Sequence, residues 1–116
     1  MIDQKGLELV SDFLYGKYSH IAIGTGSEPE SVNDTTLEDE VHRGASTNTR
    51  FTTTVLNDSV RFYYRYSPSS GITIKEFGLF DSVSSGNIFA REVTENIIIP
   101  TGNFLDVYFN VVAKED

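Results

Sequence analysis

The chain contains no cysteine and no tryptophan among its 116 residues. Without thiols it forms neither disulfides nor thiolate metal sites, so packing alone must hold the fold in reducing or oxidising surroundings. Long apolar runs are also missing. Stretches such as Ile97 to Ile99 are three residues long, against about 20 for a bilayer-spanning helix. The N-terminus lacks the basic flank and apolar core of a secretion signal, which leads to the expectation of synthesis in the cytoplasm. Bases are scarce: nine Lys and Arg stand against 17 Asp and Glu, a net charge of −8. Backbone recognition of nucleic acid needs a basic footprint, so neither nucleic acid nor a membrane is expected as a partner. Acidity of this size serves solubility.

What is present favours sheet. Eight Phe and six Tyr accompany many Thr, Ser and Val, residues that fit a pleated, half-buried surface. The length suits one domain, residues 1–116, with no internal repeat or linker.

The first segment departs from this. Leu7, Val10 and Leu14 recur at helical spacing with Leu9 and Phe13 beside them, so residues 3–14 predict a short amphipathic helix on the sheet. Asp3 is its expected N-cap and Gly16 its terminator. A short buried strand follows at His20-Ile21-Ala22-Ile23, running into Gly24-Thr25-Gly26. The polar stretch 27–33 reads as an exposed loop. Thr35 and Glu38 have capping-box spacing, and Leu37 and Val41 stand four apart, which predicts a second short helix ending near Arg43-Gly44. Six of the 17 acids lie between 28 and 40; they read as a solvated loop and helix.

From Thr49 the period becomes 2, the signature of strands. Segments 49–56 and 59–67 flank Asn57-Asp58, which suits a two-residue hairpin turn. That register sets Val55 opposite Val60, Thr53 opposite Phe62 and Phe51 opposite Tyr64, all on the core face with Tyr66. Arg50, Thr52, Thr54, Arg61, Tyr63 and Arg65 then share the outer face. A second hairpin joins 72–81 to 88–94 across the loop 82–87. It places Phe77 and Leu79 with Ile88 and Ala90, and Glu76, Gly78 and Phe80 with Phe89, Arg91 and Val93. Residues 97–99 lead through a turn at 100–103 to a last strand, 104–113. Leu105, Val107, Phe109 and Val111 form its apolar stripe, while Phe104, Asp106, Tyr108 and Asn110 point the other way. Turns every eight to twelve residues predict an antiparallel β-sandwich or partly closed barrel carrying two short helices.

Catalysis needs a nucleophile with its base, a carboxylate pair in a cleft, or a metal site. None is legible, and no enzymatic activity or cofactor is expected. His20 starts a strand and His42 ends the expected second helix, where a cation suits the dipole. Gly24-Thr25-Gly26 lacks the third glycine of a dinucleotide loop, Pro29 standing in its place, and no Gly-Lys-Ser/Thr follows. It reads as a turn whose glycines supply positive φ. The 28–40 acids lack a calcium-loop pattern, so no metal site is assigned.

Two groupings remain. Glu76 and Arg91 fall diagonally across the second hairpin as a structural pair, with Gly78 leaving room for the arginine. Arg50, Arg61, Tyr63 and Arg65 on one sheet face, with Tyr108, are candidate interface residues, since Tyr and Arg are enriched where proteins meet.

The ordered segments resemble a family of small virion structural proteins of tailed phages and tailed viruses, of the tail-fibre-like or head-decoration kind. The resemblance rests on Gly6-Leu7-Glu8-Leu9-Val10, on His20 through Gly26 with its Gly-Thr-Gly, and on Asp34-Thr35-Thr36-Leu37-Glu38-Asp39-Glu40-Val41, like D-T-x-L-x-x-E. It continues with Glu76-Phe77-Gly78-Leu79-Phe80, matching E-x-G-L-F, then Ile88-Phe89-Ala90-Arg91 and the strand Leu105 to Val111. It implies a non-enzymatic β-sandwich component of the virion, assembled in the host cytoplasm, in a tail fibre, baseplate, collar or capsid decoration. The implied partners are other copies of the chain and neighbouring virion proteins, with a host-surface receptor as a further option. The alternative expectation is a carbohydrate- or receptor-binding β-sandwich module, suggested by the tyrosines and polar loops.

Overall fold

The computed structural model describes residues 4–52 and 59–112, with side chains from Leu9 onward. Helix α1 (Gln4–Lys17) precedes β1 (His20–Gly24), β2 (Glu40–Ala45), β3 (Thr47–Phe51), β4 (Ser59–Tyr66), β5 (Ile72–Phe80), β6 (Ile88–Ile99) and β7 (Leu105–Val112). The strands make two antiparallel sheets, β2-β1-β5-β6 and β3-β4-β7, packed as a sandwich. The sandwich form of the expectation holds and the barrel form does not, because the sheets do not close on one another. At one side β6 and β7 are both edge strands. The turn joining them has the Asn103 N–H donating to the Pro100 carbonyl at 3.1 Å, with Gly102 at φ 88°.

Alternation along the strands builds the core. Ile21, Ile23, Ile74, Phe77 and Leu79 of the larger sheet meet Val60, Phe62, Tyr66 and Val107 of the smaller one. Each fully buried side chain of this size contributes about 1.5–3 kcal/mol. The outward set on β1 and β5 is buried as well, because residues 25–39 lie over that face. Leu37 packs there on Ala22 and Phe80, with Ile88 beside them. Two-sided burial explains why β5 is closed to solvent from Glu76 to Phe80.

Helix α1 lies against β3 and β4. Its buried side is Ser11 and Leu14, and the Ser11 hydroxyl donates to the Ser59 carbonyl at 3.4 Å. Val10, expected in the buried stripe, is 45% exposed, and Leu9 and Phe13 also face outward. The helix runs through Gly16 rather than ending before it. Its end is held by Asn48, whose Nδ2 donates to the Tyr15 carbonyl in the last turn and to the Tyr18 carbonyl just beyond it, at 2.9 and 2.8 Å. The expected cap at Asp3 lies outside the described residues.

Four further expectations are corrected. The second helix is absent: residues 35–39 are loop and 40–45 are β2, so α1 is the one helix among the described residues. Tertiary hydrogen bonds replace the capping box. The Glu38 carboxylate accepts from the backbone N–H groups of Ser27 and Glu28 at 2.7 and 3.1 Å, away from any helix. In the first hairpin Phe51 pairs with Ser59 and Arg50 with Val60, an offset of five residues from the expected register. The expected turn, with Thr53, Thr54 and Val55, lies outside the described residues. An odd offset exchanges faces, so Phe51 points outward and Arg50 inward. In the second hairpin the expected register holds from Glu76–Val93 to Leu79–Ala90, but then shifts so that Phe80 pairs with Ile88. Ile88 consequently joins the outer cluster, and Phe89 packs against Tyr18 with centroids 5.1 Å apart. Residues 97–99, expected as a separate piece, are the end of β6 and pair with the start of β5.

Candidate functional site

Two constellations stand out, one on each outer face. On the larger sheet β5 presents Glu76 beside the end of β1, and the carboxylate is fully buried. Oε2 accepts from the backbone N–H groups of Gly26 and Asp39, both at 2.8 Å. Oε1 accepts from the Glu38 N–H and from Arg91 Nε, each at 2.9 Å. Glu76 and Arg91 are diagonal neighbours in the register, since Gly78 faces Arg91 and Glu76 faces Val93. The guanidinium then reaches outward. Nη2 donates to the Glu28 carbonyl at 3.0 Å, and Nη1 to the Pro29 carbonyl at 3.4 Å and to the Asp34 carboxylate at 3.2 Å.

Burial works to raise the Glu76 pKa. The donated N–H of Asp39, the Arg91 guanidinium and the N–H groups of Glu38 and Gly26 outweigh it, so the carboxyl sits below its ordinary value. Arg91 is held charged by the same exchange: its own burial opposes the charge, and Glu76 and Asp34 restore it. Asp34 is lowered chiefly by the N–H of Ser31, with burial opposing and Arg91 assisting. The pair anchors the whole 25–39 connection onto the sheet.

The glycines of Gly24-Thr25-Gly26 serve this site by their smallness. Neither has positive φ, contrary to the expected reason for them. A Cβ on Gly24 would lie 2.6 Å from both the Asp39 carbonyl and Glu76 Oε2. Gly78 likewise makes room for Leu37 and Phe80, whose side chains a Cβ would meet at 2.9 Å, rather than for Arg91. The acids of 28–40 are exposed as expected, apart from the half-buried Asp34, and several also make local hydrogen bonds. Glu30 accepts the Val93 N–H at 2.7 Å, Asp39 accepts the Thr25 hydroxyl at 2.8 Å, and Glu40 pairs with Arg43 at 2.7 Å.

On the smaller sheet Arg61, Tyr63 and Arg65 of β4 stand beside Tyr108 and Asp106 of β7. Tyr63 is opposite Tyr108, Arg65 opposite Asp106 and Arg61 opposite Asn110. The tyrosine rings lie 4.9 Å apart at 31°. The Tyr63 hydroxyl donates to Asp106 Oδ1 at 2.7 Å, and Arg65 Nε donates to the same oxygen at 2.9 Å. Arg61 Nε donates to Asn110 Oδ1 at 2.9 Å, and its guanidinium lies 5.4 Å from the Tyr108 ring and 5.5 Å from Phe51. Arg65 caps Phe104 at 3.9 Å. Asp106 is held below the usual carboxylate range, first by Arg65 and then by Tyr63, and its carboxylate raises the Tyr63 phenol. The result is an exposed but internally braced face, with Tyr108 and Phe104 each 53% exposed.

Arg50, the fifth interface candidate, is not on this face. It pairs with Asp12 of α1, 5.9 Å from the Tyr15 ring, because the corrected register turns it toward the helix. Phe51 and Asp106 take part in the face instead; the two-residue period of β7 is the signal that marks Asp106. His20 accepts or donates a 2.8 Å hydrogen bond with its neighbour Ser19. His42 sits on β2 between the sheets, sharing a 2.6 Å hydrogen bond with the Tyr64 hydroxyl and stacking on Tyr64 and Tyr66. Among the described residues no three His, Asp or Glu side chains are grouped to hold a metal ion.

No protein-family model matches the chain, and no curated protein matches it.

Proposed function

We propose that this protein is a non-enzymatic structural component of a tailed phage or virus particle, working by self-association and by docking to neighbouring virion proteins. The observation that carries this reading is the Arg61–Tyr63–Arg65–Tyr108 face. Its long side chains are already ordered by Asp106, Asn110, Phe51 and Phe104, so little side-chain entropy remains to be lost when a protein surface covers them. Tyr and Arg are also the residue types most enriched at such contacts. The virion context comes from the ordered motif set. Three of its segments, Gly24-Thr25-Gly26, Leu37-Glu38-Asp39 and Glu76-Phe77-Gly78, meet at one carboxylate, which supports reading them as parts of one device. Sedimentation of the purified chain at high concentration, with antibody labelling of purified tailed particles, tests the proposal. An oligomer and a fixed labelled position are expected; a strict monomer absent from particles overturns it.

A second reading, a carbohydrate- or receptor-binding module, is favoured by one feature. The half-exposed Tyr108 ring lies between Asp106 and Asn110 on the same strand face, an aromatic platform flanked by polar groups. Binding in a glycan screen that Tyr108→Ala abolishes would support it; no binding would remove it.

A further inference from the structure

We propose that two copies of this chain associate through the free edge of β7, pairing antiparallel about Tyr108 to make one six-stranded sheet across the dimer. The proposal rests on the self-association reading and names its surface. Among the described residues β7 pairs with β4 alone and leaves its other edge without a strand. An open edge is a template for another strand unless it is blunted. This one has no proline, and its residues run regularly from Leu105 to Val112 with no register shift against β4.

The occupant is argued from the pattern of β7 itself, which is symmetric in chemical type about Tyr108. Val107 and Phe109 flank it, then Asp106 and Asn110, then Leu105 and Val111. A two-fold axis at Tyr108 therefore sets apolar residues opposite apolar residues on the inner face. On the outer face it sets Asp106 opposite Asn110 of the second copy. Arg65 already lies beside Asp106, and Arg61 beside Asn110. The pairing thus makes a row Arg65, Asp106, Asn110 and Arg61 across four strands, in which the acid lies beside one cation and the neutral Asn110 beside the other. The central row is Tyr63 and Tyr108 followed by their two symmetry mates. No like charges meet directly, as stable cross-strand pairs require.

The inner face supplies the second argument. Between the edges of β6 and β7 the sandwich opens into a cleft of about 400 Å³, its apolar part lined by Phe77, Ile97, Leu105, Val107 and Phe109 and its polar part by Glu92, Thr94, Asp106 and Asn110. An added strand whose inward side chains are Leu105, Val107, Phe109 and Val111 of the second copy continues this apolar surface and covers the open side. Self-complementary contacts of this kind generate a closed two-fold dimer rather than a fibre.

The absence of cysteine makes the register testable. Residues facing one another on antiparallel strands have Cα atoms about 4.5–5.5 Å apart, inside the span of a disulfide. Tyr108→Cys should oxidise to a covalent dimer under diamide. Asp106→Cys and Asn110→Cys, each about 13 Å from its own symmetry mate, should stay monomeric on a non-reducing gel when oxidised alone. Mixed, they should form the heterodimer. Arg61→Cys, on the same face but on β4, is the negative control. If neither Tyr108→Cys nor the mixture crosslinks while the unmodified chain sediments as an oligomer, the β7 edge is refuted and self-association through another surface stands. If the unmodified chain is monomeric at high concentration, both readings fall.

Discussion

The backbone N–H of Gly26 donates to Glu76 Oε2 at 2.8 Å across fifty residues of sequence, and a Cβ on Gly26 would lie 2.5 Å from that same oxygen. Here the carboxylate approaches from the side that a Cβ at position 26 would occupy, with the Glu38 side chain crowding the same space, so this geometry needs glycine.

Gly26→Ala should therefore lower stability by about 1–3 kcal/mol through overpacking. Gly16 provides the contrast: it lies inside α1 with nothing within 4 Å of a Cβ. Gly16→Ala should be stabilising by up to about 1 kcal/mol through helix propensity. Urea midpoints of the two variants should move in opposite directions.

Glu76→Gln removes the buried carboxylate from the Arg91 guanidinium and leaves it the half-buried Asp34 as its counter-charge. Removing one partner of a buried pair costs about 3–5 kcal/mol, and the 25–39 connection loses its anchor. A lower urea midpoint and faster proteolysis within 25–39 are expected. If both stay at the level of the unmodified chain, the anchoring role is wrong.

The same pair gives a pH dependence of definite sign. Glu76 and Asp34 both have folded pKa values below their ordinary ones. The unfolded chain thus binds more protons in acid, so stability rises with pH through that range. The contribution is complete above the unfolded carboxyl value of about 4.3 and is lost as pH falls through the depressed folded values. Thermal melts across the acid range should show the loss, and Glu76→Gln should flatten it.

On the other face, the Asp106 carboxylate holds the Tyr63 proton. Asp106→Asn should bring the Tyr63 phenol back toward its ordinary value, detectable in an alkaline tyrosinate titration and assigned by its disappearance in Tyr63→Phe. An unchanged titration would mean that the hydrogen bond is not formed in solution.

Strands whose two faces differ in chemistry are the legible part of this fold. β7 announces itself through Leu105, Val107, Phe109 and Val111, and β5 with β6 through the register that sets Glu76 diagonal to Arg91. The errors lie where tertiary contacts override a local signal. Thr35 and Glu38 have the spacing of a helix start, yet the Glu38 carboxylate serves Ser27 and Glu28, and Glu76 claims the N–H groups of Glu38 and Asp39. Arg50 alternates correctly with the outer residues of a two-residue hairpin. The pairing of Phe51 with Ser59 removes that hairpin and gives Arg50 to Asp12. The Glu76 hub is half legible: its partner on β6 follows from hairpin geometry, whereas its three backbone donors come from loops whose path no periodicity encodes.

The order of strands in the two sheets also has a kinetic consequence. β1 must wait for β5, and β4 for β7, so the central pairing of each sheet closes a long chain loop before its contacts are gained. Topologies dominated by such distant pairings fold in milliseconds to seconds rather than microseconds. During that interval β4 exposes the edge that β7 will later occupy, and a ribosome-bound or crowded chain is then most vulnerable to pairing with the wrong neighbour.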